Sequence, residues 1–400
     1  MSSVSEPGIG KPLEEQQTPC LLVRLDILRD NIRRMASLAA ENHVALRPHA
    51  KTHKCVRIAR LQVEQGAAGI TVSKIAEAEV MAEGGLTDIC VAYPIPPSKV
   101  PAFYDLSRRA SVSVVTDSFR SAEALGAFFS ARGAAAPVFL KVDVGLGRCG
   151  VDPESGDAVE LARRIAALPG LSFRGILTHA GQVYAAPGET VDERRERVRE
   201  ISLLERATML RFAERLEAAG IPVRGVSVGS TPTAWFFRQA GPGPGRTKPS
   251  ITEIRPGNYV FHDGTQIRLG AAGLPQCALT VLATVVSRPA KDRVIIDAGS
   301  KGISKESGVH VSAPTPEGYG RLLGCDADRS PVEGAGPVFN LSEEHGWVQV
   351  HPDCKLDVGD VVQVLPNHAC TTVNLFDSIR IVKGGRVVDC WPVDARGRSW

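Results

Sequence analysis

The stretch AGITVSKIAEAEVMAEGGLTDICVAYPI (68–95) holds an apolar run, a segment with apolar residues at helical spacing, and a second apolar run. The two runs read as strands and the segment between them as a helix. The same unit recurs outward in both directions. Upstream lies ALRPHAK (45–51). Downstream lie VSVVTDS (112–118), PVFLKVDV (137–144), LSFRGILTHAG (171–181), GVSVGST (225–231) and EIRPGNYVF (253–261). Helical spacing fills the gaps, most plainly in ERRERVREISLLERATMLRFAERLEAAG (193–220). Eight strand candidates alternating with helices predict a parallel sheet closed as a (β/α)8, TIM-like barrel. A doubly wound open sheet is the alternative. No GxGxxG opens a helix after the first strand, which weighs against a dinucleotide site.

The texture changes after about residue 270. CALTVLATVVSRP, RVIIDAG, GWVQV, DVVQVLPNH and IRIVKGGRVVDCWPV are β-rich with turn residues between them. The sequence therefore predicts a barrel over 27–270 and an all-β domain over 271–400. The strand in TPCLLVRLD (18–26) is expected to join the second domain before a helix begins near Ile27. A length of 400 residues suits a large barrel plus a second domain. GPGPGRTKPS (241–250) reads as a mobile surface loop in the last barrel repeat.

Composition narrows the function classes. Hydrophobic residues at 43% and charged residues at 23% describe a soluble globular protein with a core of normal size. The net charge is +3 and no basic patch is interleaved with aromatics, so nucleic acid is not an expected partner. No apolar run reaches the length of a membrane span, and the N-terminus has no signal-peptide core, so the cytoplasm is the expected location. The nine cysteines are scattered without a CxxC pair, unlike a secreted disulfide framework.

Chemistry-bearing residues gather at the predicted C-terminal strand ends, where barrels of this kind place catalysis. Lys51 ends the first strand inside RPHAKTHK (47–54), flanked by two histidines and an arginine. Desolvation and cationic neighbours lower a lysine pKa and make it a usable amine nucleophile. His53 beside it is a candidate second acid/base, with a structural role as the alternative. KVDVGLGRCG (141–150) places Arg148 on a glycine-lined turn, facing either an anionic oxygen or Asp143. THAG (178–181) brings His179 to the mouth, with Tyr184 five residues on. SVGSTPTA (227–234) offers Gly229, Ser230 and Thr231 before a helix, and RPGNY (255–259) adds Gly257 and Asn258. Backbone N–H groups in the loops after the last two strands suit a phosphate. In PNHAC (366–370), His368 and Cys370 would share one face of an extended chain, and imidazole with thiolate suits Zn²⁺.

Together these segments resemble the D-serine dehydratase / D-threonine aldolase group of alanine-racemase-like, fold type III pyridoxal-phosphate enzymes. The likeness runs from TPCLLVRLD to the C-terminal WPVDARGRS, and RPHAKTHK is its most specific motif. The resemblance implies that Lys51 carries pyridoxal 5'-phosphate as a Schiff base. It puts Arg148 near the cofactor's phenolic oxygen, His179 beside the ring, Arg255 opposite the pyridine nitrogen, and residues 229–231 and 257–258 around the phosphate. It makes His368 and Cys370 the ligands of a divalent metal, Zn²⁺ or another such as Mn²⁺. The implied activity is D-serine dehydration to pyruvate and ammonia. D-threonine aldolase and D-threo-3-hydroxyaspartate dehydratase are the alternatives, with a non-enzymatic cofactor-homeostasis protein as the rival outside catalysis. Fold-level analogy further suggests a homodimer.

Overall fold

The computed structural model describes residues 8–239, 249–308, 318–326 and 329–400. Most of GPGPGRTKPS, residues 241–248, lies outside them. The chain forms two compact units, one of residues 33–51, 58–257 and 397–400, the other of residues 1–32, 52–57 and 258–396. Among the described residues no helix is long and apolar enough to cross a membrane.

Cys20–Arg24 (β1) runs directly into the helix Leu25–Glu41. Eight further strands then build the first unit: Ala45–Leu46 (β2), Ile70–Val72 (β3), Asp88–Pro94 (β4), Ser111–Thr116 (β5), Ala136–Lys141 (β6), Leu171–Leu177 (β7), Gly225–Val228 (β8) and Glu253–Ile254 (β9). All neighbours are parallel, in the order β2-β9-β8-β7-β6-β5-β4-β3. The ring closes through a parallel bridge between His49 and Thr71, with the Ala68 and Thr71 amides donating to the Leu46 and Pro48 carbonyls. The barrel is therefore present and the open sheet is excluded.

Two strand ends differ from expectation. The first strand stops at Leu46, and Lys51 sits beyond it on a 3-10 turn, Ala50–Thr52. Pro48 has no N–H to give to a ladder, so past Leu46 the pairing continues only as the isolated bridge at His49. The last strand is likewise only Glu253–Ile254, because Pro256 and Gly257 follow at once. Between strands the helices begin where capping chemistry allows. Val191–Ala218, for example, starts behind Thr190, whose hydroxyl accepts from the Glu193 amide while Glu193 reaches back to the Thr190 amide.

The barrel interior contains an ion cluster. Arg47 Nε donates to Glu253 Oε2 at 2.6 Å, and its two terminal nitrogens donate to Asp88 at 2.7 and 3.1 Å. Ser227 donates to the other Glu253 oxygen at 2.6 Å. Arg47 is thus committed to carboxylates, and the cationic neighbour that the sequence suggested for Lys51 is spoken for.

In the second unit the strands are antiparallel except where β1 lies parallel to Ser378–Lys383. Leu279–Ala290 (β10) is the long member. It pairs with Arg293–Ile296 (β11) at one end and with Val361–Pro366 (β15) and β1 at the other. Gly320–Leu323 (β12), Ala335–Leu341 (β13) and Gly346–Val350 (β14) complete a closed ring of six, β10-β11-β14-β13-β12-β15. Ser378–Lys383 (β16) and Arg386–Pro392 (β17) extend the sheet beyond β1. Residues 258–277, which the sequence leaves mostly in the barrel, belong to this unit.

The ion cluster gives a stability test. Arg47 and Glu253 side chains are 14% and 13% exposed, whereas Asp88 is 46% exposed. Removing one partner of a buried pair leaves the other charge stranded, so Arg47→Ala should cost about 3 kcal/mol. Asp88→Asn should cost about 1 kcal/mol or less. Chemical denaturation compares the two, and equal losses would contradict this description.

Candidate active site

The barrel strands end around a cavity of about 580 Å³, a size suited to a cofactor with a small substrate. Lys51 reaches it from the turn after β2, Lys141 from the last position of β6, and His179 from just past β7. Arg148, Gly229 and Arg255 reach it from the loops after β6, β8 and β9. Lys51, Arg148, His179, Gly229 and Arg255 are thus brought together as the sequence suggested.

The β6 loop shows why Arg148 is available. The Asp143 carboxylate accepts from the amides of Gly145, Leu146 and Gly147 at 2.8–2.9 Å, so it folds the turn instead of pairing with Arg148. The turn closes at Gly150, whose φ is +118°. A Cβ there would lie 2.5 Å from the Asp143 nitrogen, and the Gly150 amide donates to Asp117 at 2.7 Å.

His179 Nδ1 faces the Gly229 carbonyl at 3.1 Å. A carbonyl only accepts, so Nδ1 carries the hydrogen and Nε2 keeps its lone pair. Burial, reinforced by Lys51 and Lys141, holds this imidazole well below the usual histidine range. It is a neutral polar ring at pH 7.

Lys141 is the site residue that sequence reading missed. It is 4% exposed and lines the cavity. Burial first, then repulsion from Arg255 and Arg148, pushes its ammonium down to about 7. Its position as the last residue of a strand, at the head of KVDVGLGR, is the signal that the sequence carries for it.

The phosphate loops are arranged differently from the sequence reading. The Gly229 amide donates to Glu205 at 2.9 Å, the Ser230 amide to the Thr233 hydroxyl at 3.1 Å, and the Gly257 amide to the Thr231 hydroxyl at 3.1 Å. The N–H donors expected at these three positions are therefore engaged inside the protein. Of the group, Gly229 lines the cavity, with φ +128° and no room for a Cβ, which would sit 2.9 Å from the Arg255 nitrogen. Asn258 donates from its side chain to Asp263 at 2.5 Å. The Arg255 guanidinium is held by the Ser227 hydroxyl and the Thr178 carbonyl.

His53 and Tyr184 are not among the cavity-lining residues. His53 is wholly buried, and its Nδ1 accepts from the Cys55 amide at 3.1 Å with its ring edge-on to Phe261. The alternative structural role describes that geometry. Tyr184 is half-buried in the 3-10 segment Gly181–Ala185.

A cavity rich in cations, with a narrow glycine-lined wall at Gly229 and a lysine amine within it, fits an anionic aldehyde cofactor. The metal pair fits in a more limited way. His368 precedes the helix Ala369–Val373 and Cys370 lies in its first turn, so a helix start and not an extended strand brings them together. His368 hydrogen-bonds to Cys370, and its Nδ1 contacts the Glu306 carboxylate. Burial opposes its protonation, but Cys370, Glu306 and Asp263 push the imidazole up to about 10. With Nδ1 held by the Glu306 carboxylate, a cation would have to take Nε2 by displacing a proton from this imidazole. Among the described residues no group of three or more His, Cys, Asp or Glu could hold a metal ion.

Comparison with known proteins shows the family. Residues 23–264 match the family described as alanine racemase, N-terminal domain, and residues 278–382 match a serine dehydratase domain family. The chain is 34% identical to a D-threonine aldolase of an Arthrobacter species, over 98% of this chain and 95% of that protein. It is 33% identical to the D-threo-3-hydroxyaspartate dehydratase of a Delftia species, over 94% and 96%. It is 28% identical to the D-serine dehydratase of Dictyostelium discoideum, over 91% and 93%. The solved Delftia dehydratase superposes with a TM-score of 0.86 at 32% identity, covering 98% of this chain and all of that one. A cysteine-to-alanine mutant of that dehydratase has been solved in a metal-free form. D-threonine aldolase from Filomicrobium marinum gives a TM-score of 0.82 at 30% identity with full coverage of both chains. An alanine racemase of Clostridium difficile, at 14% identity and a TM-score of 0.65 over 94% of this chain and 99% of that one, shares the fold. The chain belongs to the alanine-racemase-like, fold type III pyridoxal-phosphate family, in the group of lyases that couples this barrel to a serine dehydratase domain.

Proposed function

We propose that this chain is a pyridoxal-phosphate lyase that eliminates the β-hydroxyl of D-3-hydroxy amino acids, with D-serine as the simplest substrate. The observation that carries the reading is one cavity in which Lys51 meets Lys141, Arg148, Arg255 and a neutral His179. Bound there, the cofactor supplies an electron sink for charge developing at the substrate Cα. A divalent cation on His368 and Cys370, Zn²⁺ by donor type, would supply Lewis acidity toward the β-hydroxyl.

The chain's own residues do the rest. Lys51 is the amine that would hold the cofactor and, when free of it, would accept the Cα proton. Arg148 and Lys141 set positive charge where the cofactor's oxygens are anionic. Neutral His179 keeps polarity beside the ring without adding a further cation. Gly229 keeps the wall thin enough for close approach. Loss of hydroxide then leaves an enamine, which hydrolyses to a keto acid and ammonia. A non-enzymatic cofactor-binding role is disfavoured by the second unit, since dehydratases and aldolases match the chain across both units.

Product analysis tests the reading. Holoenzyme with D-serine should release pyruvate and ammonia, and a chelator should stop it. Glycine and acetaldehyde from D-threonine without keto acid from D-serine would move the chain to the aldolases. Turnover insensitive to chelation would remove the cation. Cys370→Ala should abolish elimination while the visible absorbance of bound cofactor persists; loss of that band would give Cys370 a cofactor-pocket or folding role instead.

Lys141 offers a pH test in cofactor-free protein. Its folded pKa of about 7 lies below the ordinary 10.5, so the unfolded chain binds more protons across that window. Its contribution to stability should therefore rise with pH from about 7 toward 10.5. The thermal midpoint of wild type relative to Lys141→Met should climb over this range. A flat difference would place Lys141 in ordinary solvent contact.

A further inference from the structure

The cavity wall has two arcs. The residues assigned above come from β2 and from β6 to β9. The other arc, from β3 to β5, supplies Ser73, Lys74, Tyr93 and Asp117, none of which the proposed chemistry uses. Ser73 and Lys74 follow β3 directly, and Tyr93 is the penultimate residue of the neighbouring β4. The Lys74 ammonium stands 3.8 Å from the centre of the Tyr93 ring. Among the described residues no carboxylate pairs with it. Asp117, the carboxylate on this arc, accepts from the Gly150 amide.

An ammonium on an aromatic face is held only weakly when solvent reaches it, and Tyr93 is 44% exposed. Such a lysine keeps its charge ready for an anion. Ser73 and Tyr93, each with a hydroxyl that can donate, line the same arc of the cavity. A carboxylate takes this combination of one cation and neutral donors. Helix geometry also fixes the lysine's backbone, since the Ser73 and Lys74 amides both donate to Glu77 at 2.8 and 3.3 Å.

We infer that Lys74, with Ser73 and Tyr93, forms a subsite that grips a carboxylate of the amino-acid substrate across the cavity from the cofactor-binding arc. This rests on the lyase reading for the identity of the substrate. Two carboxylates qualify: the α-carboxylate common to all such substrates, or a second one on Cβ as in 3-hydroxyaspartate. In the latter case the elimination converts 3-hydroxyaspartate to oxaloacetate and ammonia, with the water lost at Cβ regained on hydrolysis of the enamine.

Steady-state kinetics of the holoenzyme on D-serine and D-threo-3-hydroxyaspartate, with Lys74→Met and Lys74→Arg, test it. A KM raised about tenfold or more by Lys74→Met and partly restored by Lys74→Arg supports the subsite. A similar rise on both substrates assigns the α-carboxylate, and a rise confined to 3-hydroxyaspartate assigns the second one. A KM within twofold of wild type on both overturns it, as does a loss confined to kcat. Calorimetric titration of cofactor-loaded protein with succinate separates this idea from the lyase reading. Succinate binding that weakens about tenfold in Lys74→Met keeps the subsite even if no D-amino acid turns over. Binding indifferent to the substitution, or absent from wild type, removes it.

Discussion

Crowding several cations around one small, partly dry space is the constraint on which this molecule depends. Lys51, Lys141, Arg148 and Arg255 line the same cavity, with Asp117 as the one carboxylate among the lining residues. Left alone, such a group lowers the pKa of its weakest members, and Lys141 and His179 bear that burden. An anionic ligand relieves it. The cavity is therefore built for a multiply charged guest, and the neutral state of His179 follows from its burial, reinforced by the same field.

The barrel keeps those cations in place by spending other charges elsewhere. Arg47, Asp88, Glu253 and Ser227 form a hydrogen-bonded cluster among the strands, so that buried polarity there is paired. Glu205, on the long helix Val191–Ala218, reaches the Gly229 amide, although burial pushes its carboxyl above the usual range. Asp143 and Asp117 shape the loop that carries Arg148. Each of these acids is hydrogen-bonded to backbone amides, a hydroxyl or Arg47, and Glu253 and Glu205 also offset part of the charge on Arg255.

Much of this was legible in the sequence. Alternating apolar runs and helical segments specify a barrel, because a parallel sheet demands crossovers and eight of them close a ring. Lys51, Arg148 and His179 could be picked out because they stand at strand ends, where the chain turns toward one mouth. Other features escaped for physical reasons. A two-residue strand such as Ala45–Leu46 leaves almost no period to read, and Pro48 ends it where composition still looks apolar. Lys141 lies within the apolar run PVFLKVDV, where a buried lysine resembles a surface one. Which amides of the Gly229, Ser230 and Gly257 loops remain free depends on partners far away in sequence, Glu205 among them, and spacing carries no trace of that. His368 and Cys370 are neighbours through a helix start, whereas i, i+2 spacing suggested a strand.

Three lysines line this cavity, and one of them, Lys51, is the amine that bonds the cofactor. Reduction of the cofactor-loaded protein with borohydride, followed by proteolysis and mass mapping, reads it directly. The account expects the pyridoxyl mass on the peptide containing Lys51, in stoichiometric yield. Finding it on Lys141 or Lys74, on a lysine outside the cavity, or nowhere would contradict that assignment.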